Sequence, residues 1–429
     1  MKYLQLLLPA ACLISGLNAS ATDEIPGPRQ TKPIALVNAI IHPVTQPVVE
    51  GTLLFRDGRI VAIGKKVRMP EGTLVIDLHG RHVYPGMVEA HSQLGLTEIS
   101  AVRATKDYRE TGSLNPNVQA NVAVNPDSEA IPVTRANGVL TSLSAPSGGR
   151  ISGFASVMNL DGWTFEDMTV RPRAALIVNW PSPPSSGESP GLKILRRVFN
   201  EARTYRKARN APNSAQRHDI RYEAMFDVLD RKVPVMALAH DAREIQAAVS
   251  FAIEQQVRLI IFGGHDAESC ASLLKQHDIP VVIDSVHRPP RRRHEAYDSA
   301  YTLPNRLHKA GIQYCISGSE TNSTWNARNL PFHAAMAVAH GLPMDEALRA
   351  VTIGPAEILG VADRVGSLEV GKDATLIVTD GNPLEITSHV RRAWIGGRAV
   401  QLTSRHTRLY DKYRQKYRQQ AAEQEAAEE

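Results

Sequence analysis

Cysteine is scarce, with three residues among 429, and Cys12 falls in an apolar leader, so a processed chain would keep only Cys270 and Cys315. Both sit in apolar segments, "AESCASLL" and "IQYCISGS", so a disulfide framework does not hold this fold together. Two buried thiols or a single bridge are the alternatives. No G-x-G-x-x-G follows any candidate strand, which argues against a doubly wound dinucleotide-binding sheet. A surplus of one charge is missing too. Against 49 basic and 44 acidic residues the net charge of +5 leaves no nucleic-acid footprint. No apolar run is long enough for a stable membrane span, because "YLQLLLPAACLISGL" is broken by Pro9 and Gly16. With Lys2 ahead of it and Ala19-Ser20-Ala21 before Thr22, that stretch reads as a cleavable export signal over residues 1–21. A periplasmic or secreted protein is expected.

What is present suits a large folded protein. Hydrophobic residues make up 43% of the chain and charged ones 22%, enough for a sizeable core and too apolar for disorder. Short β-like runs come first, "IALVNAIIH", "GTLLFRDGRIVAIG" and "GTLVIDLHGRHVYPG", with Asp57-Gly58 as a hairpin signal. The same character returns near the other end in "DATLIVTD" and "VRRAWIGGRAV". Residues 32–84 plus 361–403 are therefore expected to form a small composite β-sandwich domain built from both chain ends. Between them the pattern becomes strand-then-helix, with strands expected at 87–92, 140–146, 155–160, 174–180, 233–240, 257–264, 279–285 and 312–319. Runs such as "VPVMALAH" and "VRLIIFGG" are apolar throughout, as strands buried on both faces require. The expected fold class is α/β, a (β/α)8 TIM-like barrel of eight parallel strands over residues 85–360. The long insertion 97–138 would cover its mouth. Residues 404–429 form a C-terminal helical tail, whose Tyr410, Tyr413 and Tyr417 share a face expected to lie against the body.

In such a barrel chemistry collects where strands end. Those ends carry His91 and Gln93, Asn179, His240 and Asp241, His265 and Asp266, Asp284, and Ser319 with Glu320. Three of these strands end in histidine. Neutral imidazoles meeting at one mouth suit a metal or proton-transfer site. Asp241, Asp266 and Asp284 are expected as helix caps or loop partners. Arg291, Arg292 and Arg293, after the seventh strand, could reach an anionic substrate, and Asn179 would line the same wall.

The stretches "VIDLHGRHVYPGMVEAHS", "RNLPFHAAMAVAHGLPMDEALRAVTIGPAEILG" and "DRVGSLEVGKDATLIV" resemble the amidohydrolase superfamily, in its imidazolonepropionase-like branch. The resemblance implies a distorted barrel with a split β-sandwich and hydrolysis of a C–N bond by metal-activated water. It also implies a site built from His-x-His, often a lysine, two single histidines and an aspartate. His91, His240 and His265 match three of those histidines and would hold one divalent metal, with zinc expected. Gln93 stands where the second histidine belongs, no lysine occurs in "AALIVNW", and the eighth strand reads "ISGSE" without the aspartate. Glutamine is a poor zinc ligand, so Gln93 would orient water or substrate, and Glu320 would stand in as the base. The partner expected is a small-molecule substrate, cleaved at a non-peptide or dipeptide-like C–N bond rather than an ordinary peptide bond. The alternative is a non-catalytic descendant that binds a small molecule or a protein.

Overall fold

The computed structural model describes residues 25–428, apart from 185, 188, 213–214 and 319–323. The export signal expected at 1–21 and the base expected at Glu320 lie outside the described residues.

Eight strands form one sheet in strict chain order: β1 (Met87–Ser92), β2 (Val139–Ser144), β3 (Ile151–Asn159), β4 (Thr169–Asn179), β5 (Val235–Ala239), β6 (Leu259–Gly263), β7 (Val281–Ile283) and β8 (Tyr314–Ile316). The sheet curls until β8 comes back beside β1, a nearly closed barrel within an α/β fold. Buried Glu89 of β1 reaches across that seam, accepting hydrogen bonds from the Ser317 hydroxyl and, at 2.8 Å, from Gly318 N–H. Val88, Leu143, Val157, Ile177, Met236, Phe262, Val282 and Cys315, one from each strand, share a buried apolar cluster that fills the interior.

The expectation of eight parallel strands needs correction. β3 runs antiparallel to both β2 and β4. The cause is connection length. Residues 145–150, "APSGGR", and 160–168 are too short for a helical crossover, which takes a dozen or more residues. They can only turn the chain back, and Gly148 and Gly149 at φ 93° and 65° make the first reversal. From β4 onward every pair is parallel. Helices α1 (Pro190–Arg209), α2 (Ala242–Glu254), α3 (Ala271–Gln276) and α4 (Ser299–Ala310) fill the connections, and α5 (Leu330–Ala339) and α6 (Met344–Val351) follow β8. Because β3 is reversed, its first residues lie at the mouth. There Leu114 and Gln119 of the long insertion bridge to Ile151 and Phe154.

The other sheet mixes both chain ends. Leu376–Thr379 pairs antiparallel with His82–Pro85, and Ile34–Ile41 joins the same sheet beside it. Asp57-Gly58 turns the hairpin from Val49–Arg56 to Arg59–Gly64, both residues at positive φ as a two-residue turn of this hand needs. Phe55 and Trp394 meet edge to face at 5.8 Å in its core. Cys270 and Cys315 are both buried free thiols. The tail is the helix α7 (Arg405–Glu428), but its tyrosines do not lie against the body: Tyr410, Tyr413 and Tyr417 are 64%, 50% and 64% exposed. Among the described residues no helix is long and apolar enough to cross a membrane.

Candidate functional site

β5, β6 and β7 end side by side, and each end delivers one donor. After Ala239 the chain leaves β5 through His240, and Asp241 caps α2 in a reciprocal capping box with Glu244. The Glu244 carboxylate also accepts from His240 N–H at 2.8 Å, which fixes the direction in which the imidazole leaves the strand. β6 ends in Gly263 and Gly264, at φ 99° and 56°, before His265. A Cβ on Gly263 would lie 2.2 Å from His240 Nδ1, so the glycine leaves the room in which that ring sits. β7 ends in Asp284.

His240, His265 and Asp284 bring one ligand atom each to within 4.8 Å of one another, the three-donor cluster found among the described residues. The His265 Nε2 to Asp284 Oδ1 distance is 2.7 Å, and His240 Nδ1 lies 3.8 Å from Asp284 Oδ2. The Arg291 guanidinium approaches His265 Nδ1 at 3.1 Å. A guanidinium only donates, so Nδ1 must be the acceptor, and Nε2 carries the proton it gives to Asp284. Burial pushes the Asp284 carboxyl up, but the His265 hydrogen bond and the neighbouring positive groups outweigh it and hold the pKa below the usual range. Burial, and then the charge of His265, lower His240. Its Nδ1 is buried with no hydrogen-bond partner. Two imidazoles and a carboxylate, one imidazole atom aimed inward and unpaired, fit a divalent cation. An ion shared with Asp284 would take His265 Nε2; the proton then moves to Nδ1, which can no longer accept from exposed Arg291, so the arginine would have to leave.

The other residues expected at the site are placed differently. His91 is buried and lies on the barrel's filling, its ring 4.0 Å from that of Phe262. Burial lowers its pKa to about 4, partly offset by Asp284, so the ring is neutral and outside the three-donor cluster. Gln93 is buried, its amide donating to Ser147 Oγ at 3.3 Å and its carbonyl accepting from Thr97 at 3.5 Å. Asn179 donates to Gly149 O and Ser152 Oγ at 2.8 and 3.1 Å, which ties the reversed third strand to the fourth. Arg292 pairs with Asp266 at 2.6 Å and with Glu295 at 3.3 Å, and Arg293 is exposed. Asp241 is the cap expected of it. Asp284 is not: it belongs to the cluster. Its signal in the sequence is its place at the end of "IPVVID", level with the two histidines. Glu89 was missed as well, although a carboxylate in the apolar run "GMVEAH", two residues from His91, is itself a signal of an inward polar network.

A cavity of about 360 Å³ opens beside the cluster, lined by His265, Asp266, Arg288, Arg292, Glu295 and Arg306 among others. A larger one of about 800 Å³ lies at the opposite end of the barrel, where Pro234, Arg258, Pro280 and Gln313 precede their strands, and it holds none of these donors.

Residues 264–401 match the profile of the amidohydrolase family. The chain is 24% identical to the amidohydrolase tasK of Hapsidospora irregularis over 83% of its own length, and it spans 41% of that relative. It is 24% identical to an imidazolonepropionase of Symbiobacterium thermophilum, over 76% of this chain and 83% of the relative. Among solved structures, an amidohydrolase from Thermotoga maritima superposes with a TM-score of 0.78 at 27% identity, covering 86% of this chain and 99% of that one.

Proposed function

Because the chain belongs to the amidohydrolase superfamily, in its imidazolonepropionase-like branch, we propose that it hydrolyses a C–N bond, other than an ordinary peptide bond, in a small anionic molecule. The observation that carries this reading is the convergence of His240, His265 and Asp284 within 4.8 Å at three consecutive strand ends. These three would hold one divalent metal, zinc by the chemistry of the donor set. When bound, such an ion supplies a Lewis acid and lowers the pKa of its water. The chain's own residues do the rest. Asp284 keeps its negative charge in a buried place, and without an ion His265 Nε2–H holds it aligned. Arg291, once off His265, offers a planar donor fork to an anionic group in the neighbouring cavity, whose wall Arg292 braces through its pairs with Asp266 and Glu295. His91, neutral against Phe262, closes the floor and keeps water from the barrel interior. Glu320 is the proposed base, which Glu320→Gln tests by loss of turnover with metal content intact. Residues 1–21 are proposed as an export signal, and an N-terminus at Thr22 in protein recovered outside the cytoplasm is the expected result.

One experiment decides the main reading. Protein purified without chelator is expected to carry near-stoichiometric divalent metal, to lose it in His240→Ala/His265→Ala, and to release amine from N-acyl or cyclic amides bearing a carboxylate. A second reading, a fold that binds an anion without turnover, is favoured by Arg291 on His265 Nδ1, because both ring nitrogens are then engaged. It predicts metal-free protein whose thermal stability rises with small carboxylates and not with zinc.

A further inference from the structure

Helix α7 stands out from the protein. Every described side chain from Arg405 to Ala427 is exposed. It is anchored at its first turns, where Arg408 meets Glu129 at 3.3 Å and His406 lies edge-on to Trp325. Beyond that anchor it continues to residue 428, an overall length of about 36 Å at 1.5 Å per residue. A helix in water without a packed face is marginal. This one has a face to offer: Tyr410, Tyr413 and Tyr417 recur at heptad spacing, with Arg414, Arg418 and Ala421 beside them.

Its charge is split along its length. Arg405, Arg408, Lys412, Arg414, Lys416 and Arg418 face one acid, Asp411, in the first part, whereas Glu423 and Glu425 lie in the second with no basic residue after Arg418. A second copy running parallel would set basic against basic. Running antiparallel, it sets the basic stretch of each copy against the acidic tip of the other. It also sets Tyr417 against Ala421, the small residue one turn further along the same face, which leaves room for a ring. A two-fold axis near residue 419 satisfies both copies at once, with Arg414 of each level with Glu425 of the other. We propose that α7 is a dimerisation helix that pairs antiparallel with α7 of a second copy of this chain, independently of what the barrel catalyses.

Sedimentation velocity over a wide range of concentration tests this on the whole chain. A reversible dimer is expected, weakened by added salt, since the paired charges are exposed. Tyr413→Glu/Tyr417→Glu should weaken it by at least about tenfold in Kd. Glu423→Lys/Glu425→Lys should do the same, and mixing that variant with Arg414→Glu/Arg418→Glu should restore dimers. None of these positions belongs to the core, so the thermal unfolding of the body should match the parent in every variant. A chain that stays monomeric at all concentrations, or a dimer indifferent to the tyrosine and glutamate variants, overturns the proposal. So does a monomer that instead binds vesicles of anionic lipid, which would make the basic tyrosine face a membrane contact.

Discussion

Replacing Arg291 by alanine should make the protein bind zinc more tightly, and the structure sets the size of the effect. The guanidinium donates to His265 Nδ1 at 3.1 Å, and it is exposed beyond that contact. If it stayed within ~5 Å of a bound dication, the repulsion would be about 7 kcal/mol at an effective dielectric of ~20. A hydrogen bond from a charged donor contributes only about 1.5–3 kcal/mol, so the arginine leaves when metal enters. What the metal must then overcome is that one hydrogen bond. Removing the arginine beforehand should lower Kd by about 10- to 100-fold. Competition for zinc against a chromophoric chelator, with apo protein of the parent and of Arg291→Ala, measures this directly. The rise of melting temperature with zinc gives an independent reading. Equal affinities, or weaker binding by the variant, would refute the idea that Arg291 and a metal compete for His265.

Gly263→Ala should cost about 1–3 kcal/mol for its left-handed backbone. It should also weaken metal binding, because the added Cβ would sit 2.2 Å from His240 Nδ1; denaturant melts and zinc titration of one sample report both. Glu89→Ala should destabilise by about 3 kcal/mol or more, since Gly318 N–H and His91 N–H lose their acceptor in a buried seam and Ser317 loses one of its own. Burial raises the Glu89 pKa to about 7 from 4.5, against the pull of Ser317 and Gly318. The folded state therefore holds a proton that the unfolded chain has released, and the stability this group contributes is full below pH 4.5 and falls as pH rises through 7. Urea unfolding at pH 5 and pH 8 should show the parent losing roughly 2–3 kcal/mol relative to Glu89→Gln; the same pH dependence in both proteins would show that Glu89 is not the group responsible.

The barrel was legible where its strands are buried on both faces and separated by real helical segments, as from "VPVMALAH" to "IQYCISGS". The reversed third strand was also written in the sequence, in the length of its connections rather than in its periodicity. Six residues such as "APSGGR" leave no room for a crossover, and counting them would have corrected the topology. His240 and His265 could be found because a strand end is a place in the chain as well as in space. Asp284 was visible but misassigned, since an aspartate after a strand looks the same in sequence whether it caps a helix or faces two imidazoles. Arg291 could not be resolved at all. Which of three consecutive arginines turns inward depends on the path of a loop, and no local pattern encodes it.

These placements bear on what a site of this kind needs from its first strand. The resemblance led to His91 and position 93 as the first half of a ligand set, and one half of that expectation can be judged from packing. A ring stacked on Phe262 and buried until its pKa falls to about 4 is neutral at every pH at which the protein would work. An amide tied at both ends, to Ser147 and Thr97, is held on the wall. Both residues close the β1 side of the mouth with uncharged groups. A cluster of charge lies opposite, on the ends of β5 to β7 and the arginine loop after them, where Asp284, Asp266, Arg288 and Arg292 face one another. His240, His265 and Asp284 would hold a metal from that side alone, between the neutral wall and the small cavity lined by Arg288 and Arg292. A substrate would then enter with its anionic end on the arginines and its amide toward His91. On this geometry Phe262→Ala, by loosening His91 and admitting water beneath it, should leave the metal content unchanged and lower turnover. Loss of metal in that variant would instead restore His91 to the ligand set.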